Sequence, residues 1–153
     1  MKTLVIYFSW SGNTKNIIDE INKKFSFDTV RVERKVPYSS DYNTCAYVEA
    51  KKEVDENIYP EIKSLNVDVN NYERILLFFP IWWYTFPMPI GTLIDGMKNF
   101  KGEVVVFANS YTNDISYMKN SMRDLRNIAP NVNFKEALFN KSISDHLKFI
   151  ERL

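Results

Sequence analysis

Cysteine, histidine and glycine are scarce in this chain of 153 residues, which has one cysteine, one histidine and four glycines. The lone Cys45 excludes an intramolecular disulfide and every multi-cysteine zinc or iron–sulfur site, and it fits a reducing compartment. Net charge is nearly absent as well. Twenty Lys plus Arg stand against nineteen Asp plus Glu, and a formal charge of +1 offers no global field for nucleic acid or an anionic membrane. Any anion site must therefore be local. Long apolar runs are missing too: Ile75 to Tyr84 is the longest, ten residues that contain Pro80, where a membrane span needs about 20. The N-terminal run from Leu4 to Phe8 falls short of a signal-peptide core, so a soluble cytoplasmic protein without a secretion signal is expected.

The chain is instead rich in apolar and aromatic residues, 45% and 15%, which sets aside disordered and low-complexity readings. No internal repeat, Pro/Ser-rich linker or shift of composition marks a boundary, so one domain over residues 1–153 is expected. Leu4-Val5-Ile6-Tyr7-Phe8 is apolar at consecutive positions, as a strand buried on both faces should be. Ile75 to Phe79 and Val104 to Phe107 read the same way. Thr29 to Val32 is a weaker strand and Ala137-Leu138-Phe139 a short fifth. Between them, Ile17, Ile18, Ile21 and Phe25 line one helical face, and Ile90, Leu93, Ile94 and Met97 a second. Ile115, Met118, Met122, Leu125 and Ile128 line a third. A last helix is capped by Ser142 or Ser144 and turns Leu147 and Ile150 inward, and another is expected near Ala46 to Val54. The alternation predicts an α/β, three-layer doubly wound fold on a five-stranded parallel sheet, and of the common doubly wound orders 2-1-3-4-5 is the one expected.

Two loops carry the chemistry. Ser9-Trp10-Ser11-Gly12-Asn13-Thr14 follows a buried strand and opens an amphipathic helix. A helix start leaves about four backbone N–H groups unpaired and carries about half a positive charge, so it holds a phosphate without lysine. Gly12 allows close approach of the backbone, while Ser9, Ser11 and Thr14 are expected to add three hydroxyl donors. Such a neutral loop suits a phosphomonoester better than a pyrophosphate. A nucleoside triphosphatase loop, a dinucleotide G-x-G-x-x-G and a cysteine-phosphatase cradle are all absent, and Phe79-Pro80 stands where a receiver domain needs an acid. A Ser/Thr-rich helix cap with no ligand is the competing reading.

The second loop, Pro80-Ile81-Trp82-Trp83-Tyr84-Thr85-Phe86-Pro87-Met88-Pro89, is stiffened by three prolines. In the expected strand order it faces the first loop across the crevice beyond the strand ends, where its rings offer a surface to a flat heteroaromatic ligand. The tryptophans could equally roof the core or form a contact in a homodimer. The remaining singletons read plainly: His146 as a surface or satisfied helical histidine, Cys45 as an incidental thiol, and Glu49 to Glu56 as a solvated helix face. Tyr38, Tyr42, Tyr47 and Tyr59 read as packing, with some available as a lid.

In these residues the sequence resembles the flavodoxin superfamily, in particular short bacterial flavodoxin-like proteins with Y-F-S-x-S-G-N-T after a strand and a later P-I-W-W. The likeness runs through Tyr7 to Lys15, Asp41-Tyr42, Tyr59 to Ile62, Tyr72 to Trp83, Pro87 to Ile94 and the strand after Lys101-Gly102. It implies non-covalent FMN, with the phosphate on Ser9 to Thr14, the isoalloxazine against Pro80 to Tyr84, and Asn109-Ser110-Tyr111 on its other side. It further implies a redox protein with no catalytic acid, since the flavin carries the chemistry. An NAD(P)H-dependent reductase of quinones or other small acceptors and an electron shuttle to a redox partner protein both fit. The charge of +1 favours the reductase, because shuttles typically carry strong negative charge. A cofactor-free interaction module is the alternative from another class.

Three departures from the family pattern carry expectations. Phe78 replaces a frequent glycine and predicts an altered strand end. Tyr84 replaces a small residue and predicts cover over the flavin. The loop from Ala108 to Asn113 lacks glycine, which predicts contact through side chains where the family uses backbone.

Overall fold

The computed structural model describes residues 1–153. Strand β1 (Thr3–Tyr7) leads into helix α1 (Asn13–Lys24) and strand β2 (Asp28–Arg31). A long crossover then carries a π-helical stretch, Thr44–Ala50, continuous with α2 (Lys51–Asp55). Strand β3 (Arg74–Pro80), α3 (Met88–Asp95), β4 (Glu103–Asn109), α4 (Ser116–Ile128), β5 (Asn133–Phe139) and α5 (Ile143–Glu151) complete the chain. All strands are parallel, as the alternation of apolar runs predicts, and lie in the order β2-β1-β3-β4-β5 expected of the doubly wound fold.

Alternation along each strand splits the core into two layers, because successive side chains leave a strand on opposite faces. Leu4, Ile6 and Phe8 of the first strand join Ile75, Leu77, Phe79, Val104 and Val106 in a large cluster covered by α3 and α4. Val5 and Tyr7 join Leu76, Phe78, Val105 and Phe107 in a smaller one, under α1 and α5. No helix is long and apolar enough to cross a membrane.

Several elements differ from the sequence reading. β5 begins at Asn133, four residues before the expected run, because an edge strand keeps exposed Lys135 and Glu136 and shows no continuous apolar signal. Ile115 precedes α4 and is exposed, so it does not belong to the inward face. The expected helix near Ala46 to Val54 exists, but its first half is wound as a π-helix, a rare form found mostly at functional sites. Glu49 to Glu56 is not a wholly solvated face, since Glu53 is only 3% exposed.

Phe78 does not interrupt the strand. Its ring stacks on Phe107 at 4.3 Å between centroids, and β3 pairs in register with β4 through Pro80. The same two rings pack against His146, which is 2% exposed. His146 is thus the satisfied helical histidine: its Nδ1–H donates to the Ser142 carbonyl at 2.7 Å, while the Ser142 hydroxyl caps α5 by accepting from the Asp145 N–H. Burial pushes the imidazole below its ordinary pKa. The folded state therefore favours neutral His146, and the stability it contributes is fully present above about pH 6.5 and is lost as the pH falls from there through the lowered folded-state value. Urea unfolding of the parent protein and of His146→Gln, at about pH 7.5 and about pH 5.5, checks this. The parent should lose more stability on acidification than the variant; equal losses would assign the dependence to other groups.

Candidate functional site

The parallel register brings the carboxyl ends of β1, β3 and β4 to one edge of the sheet, where they border a cavity of about 320 Å3. Its lining contains Ser9, Trp10, Ser11, Asn13 and Thr14 from the first loop, Pro80, Ile81, Trp82 and Trp83 from the second, and Asn109, Ser110 and Tyr111 from the third. Twelve of the fourteen residues expected at the site thus share one cavity. Gly12 lies within the first loop without lining the cavity, and Tyr84 lies outside it.

The first loop presents donors. Among the backbone N–H groups from Trp10 to Thr14, only that of Asn13 has an acceptor in the chain, the Ser11 hydroxyl at 3.5 Å. Gly12 adopts φ +98°, a left-handed conformation that disfavours any side chain, and a Cβ there would meet nothing within 4 Å. The Ser9 hydroxyl accepts from the Lys15 N–H at 3.3 Å and keeps its own proton free to donate. The expectation of three hydroxyl donors needs a correction at Thr14. Buried Thr14 donates its one hydroxyl proton to Asn109 Oδ1 at 2.8 Å, so it ties α1 to the end of β4 and has none left for a ligand.

The second loop folds back as a tight hairpin, with Trp82 N–H donating to the Thr85 carbonyl at 2.8 Å. Its two central residues, Trp83 and Tyr84, have φ of 50° and 74°, the conformation that a type I′ turn requires and usually gives to Asn-Gly. Each costs about 1–2 kcal/mol for a residue with a Cβ. Packing holds them there. Trp83 donates its indole N–H to the Ala46 carbonyl at 2.8 Å and lies under the Lys51 ammonium. Tyr84 does not cover the cavity as its position suggested. Its left-handed backbone aims the ring outward against Tyr117, and Asn120 donates to its carbonyl. Trp82 packs edge-on against Phe8 and Tyr38 at the floor of the loop.

The glycine-free third loop needs no left-handed residue, as none of Ala108 to Asn113 has a positive φ. Asn140, after β5, takes that conformation instead, at φ 57°, and accepts from the Ser110 N–H at 2.7 Å through its side chain. Tyr111 is 90% exposed at the rim.

The crossover supplies wall residues that the motifs did not identify: Tyr42, Cys45, Ala46, Tyr47 and Ala50. Four rings run along it from loop to loop, Trp10 to Tyr42, Tyr42 to Tyr47 and Tyr47 to Trp83, with centroids 5.4–6.2 Å apart. The unusual length and tyrosine content of Val36 to Asn71 was the available signal. Tyr38 and Tyr59 are packing residues; Tyr59 lies against Gly91.

Below the crossover, buried Glu53 accepts from the Tyr38 hydroxyl and lies 3.2 Å from Arg34 Nε, while Arg34 also faces Glu49. Desolvation raises the Glu53 pKa against the pull of Arg34 and Tyr38, and raises that of Tyr38. Glu49 accepts from the Ser39 N–H, and the Ser39 carbonyl accepts from the Trp10 indole, so this cluster joins the crossover to the first loop. Cys45 is buried beside it, and burial pushes its thiol up to about 11. Iodoacetamide at about pH 8 should alkylate native Cys45 at least about tenfold more slowly than the urea-unfolded chain, as followed by mass spectrometry. Equal rates would contradict the burial and the raised pKa.

Known proteins share this fold. The flavodoxin family model matches residues 2–152. A flavoprotein from Lactobacillus acidophilus NCFM, solved in complex with FMN, is 31% identical, with a TM-score of 0.78 over 96% of this chain and 98% of that one. The Trp repressor binding protein of Bacillus subtilis shares the fold at 13% identity, with a TM-score of 0.57 over 98% of this chain and 95% of that one. An uncharacterized NAD(P)H oxidoreductase of Escherichia coli, YcaK, is 25% identical in an alignment 107 residues long that covers 65% of this chain. The match spans only 55% of that relative's length. With a family match that leaves out only Met1 and Leu153, the chain belongs to the flavodoxin family.

Proposed function

We propose that the protein binds FMN non-covalently in this cavity and acts as an NAD(P)H-dependent reductase of quinones or other small acceptors. The observation that carries the reading is the meeting, in one cavity, of unpaired N–H donors at the start of α1 with an aromatic wall from Trp82, Trp83 and Tyr47. This donor set fits a phosphomonoester. The N–H groups of Trp10, Ser11, Gly12 and Thr14 and the Ser9 and Ser11 hydroxyls would hold the phosphate, and the helix start would favour its charge. The rings and Ile81 would bound a flat heteroaromatic group, with the Asn109 and Ser110 segment on the other side. Bound FMN would supply hydride and electron transfer, and the chain binds, orients and shields it. The FMN complex of the Lactobacillus relative supports the cofactor, and the likeness to the NAD(P)H oxidoreductase of Escherichia coli supports the electron donor.

A second reading, an electron shuttle to a partner protein, is favoured by the line of rings from Trp10 to Trp83, whose Tyr42 and Tyr47 are exposed at the cavity rim. Anaerobic mixing of the FMN-loaded protein with NADPH or NADH separates the two. The reductase should bleach the flavin absorbance at an enzymatic rate, of order 1–10³ per second, and recover it on addition of a quinone. Absence of bleaching would favour the shuttle.

The cofactor itself is tested by titrating flavin-stripped protein with FMN and with riboflavin, followed by flavin fluorescence. FMN should quench and bind much more tightly than riboflavin. Gly12→Val should weaken FMN by about tenfold or more, because it forces a branched residue into a left-handed conformation inside the phosphate loop. Unchanged FMN affinity in this variant would refute the cradle. No binding of either flavin would leave the cofactor-free interaction module as the reading.

A further inference from the structure

Arg31 ends β2 directly beside Tyr7, the last residue of β1. Its side chain passes the Tyr7 ring, with the guanidinium carbon 5.8 Å from the ring centroid, and donates from an Nη2 to the Ser9 carbonyl at 2.7 Å. That is a short, charge-assisted bond to a loop carbonyl. Arg31 forms no ion pair, whereas its neighbour Lys15 is occupied by Asp19 at 2.8 Å. The positive charge of the guanidinium is therefore not cancelled by an acid at contact distance.

The carbonyl it holds belongs to the peptide unit that links Ser9 to Trp10. This unit is trans, and in a trans peptide the C=O and N–H point in opposite directions. Fixing the Ser9 carbonyl toward Arg31 thus fixes the Trp10 N–H away from it. That N–H has no acceptor in the chain, and both Ser9 and Trp10 line the cavity. The left-handed turn at Gly12 lies two residues beyond this unit.

We propose that Arg31 is a positioning residue for the FMN phosphate: it turns the Trp10 N–H into the cradle and sets an uncompensated positive charge behind the loop. The proposal rests on the FMN reading above. It gives the neutral loop a cation that touches the backbone and not the ligand, and it makes the end of β2 part of cofactor selection. The bare flavin ring gains nothing from it, since riboflavin has no phosphate.

The test compares FMN and riboflavin binding in the parent protein, in Arg31→Met and in Arg31→Lys. Arg31→Met should weaken FMN by about tenfold or more and leave riboflavin unchanged, the loss expected for a charge-assisted hydrogen bond. Arg31→Lys, which keeps the charge and one donor, should recover most of the affinity. Equal weakening of both flavins, or unchanged FMN affinity in Arg31→Met, would overturn the proposal. Parent protein that does not prefer FMN to riboflavin would defeat the phosphate cradle itself, whereas an undiminished preference in Arg31→Met would defeat only the role of Arg31. Should Arg31→Met fail to fold, the parent still decides: by ¹⁵N-resolved NMR, FMN should move the Trp10 amide proton downfield and riboflavin should not. A Trp10 amide that responds alike to both would overturn the proposal.

Discussion

The parallel pairing of β1 between β2 and β3 sets Tyr7, Arg31 and Phe78 at one level, and β4 extends the level through Phe107. Every loop that borders the cavity leaves the sheet just beyond that line. Parallel strands all point their carboxyl ends the same way, so the helix starts and strand-end loops gather on one edge. A shift of β1 by one residue would reverse its faces and remove Ser9 from Arg31 as well as Phe8 from the large core cluster. Core packing and cavity geometry therefore depend on the same register.

On this frame the cavity keeps two local conformations that the chain would not choose alone. Trp83 and Tyr84 occupy left-handed backbone, at a cost of about 1–2 kcal/mol each, and Thr44–Ala50 is wound as a π-helix. The two irregularities meet at the hydrogen bond from the Trp83 indole to the Ala46 carbonyl. Each provides the surface that holds the other in place, which explains why bulky aromatics stand in a turn that normally takes Asn-Gly. The hairpin then directs Trp83 toward the cavity and Tyr84 away from it.

Beneath the π-helical stretch, the partly desolvated Glu53, Tyr38 and Arg34 provide a polar anchor in a mostly apolar interface. Removal of one partner from such a cluster leaves a buried charge uncompensated, so the group is costly to disturb. Through Glu49, Ser39 and Trp10 it links the crossover to the phosphate-type loop. Thr14 and Asn109 link that same loop to β4. The donor loop is held from both sides by side chains distant in sequence, and its backbone N–H groups need no internal partners.

The sequence by itself determined the central strands, the helices with a clear apolar stripe, the strand order and the three loops at the carboxyl edge. The strands, helices and loops follow from hydrophobic period and short-range backbone chemistry, both of which are local, while the strand order was expected from the doubly wound topology as a whole. Edge strand β5 was mostly illegible because exposed Lys135 and Glu136 interrupt its apolar signal, and Ile115 misled because composition does not show where α4 begins. Only the tertiary structure decided which donors stay free. Thr14 commits its hydroxyl proton to a hydrogen bond with Asn109, Tyr84 turns outward, and Asn140 takes a left-handed conformation beside the glycine-free third loop. Arg31 read in the sequence only as a position in a weak strand, and Glu53 as part of a solvated helix face. Their roles arise from partners 22 and 15 residues away, Ser9 and Tyr38, and only the folded chain brings those atoms within hydrogen-bond distance.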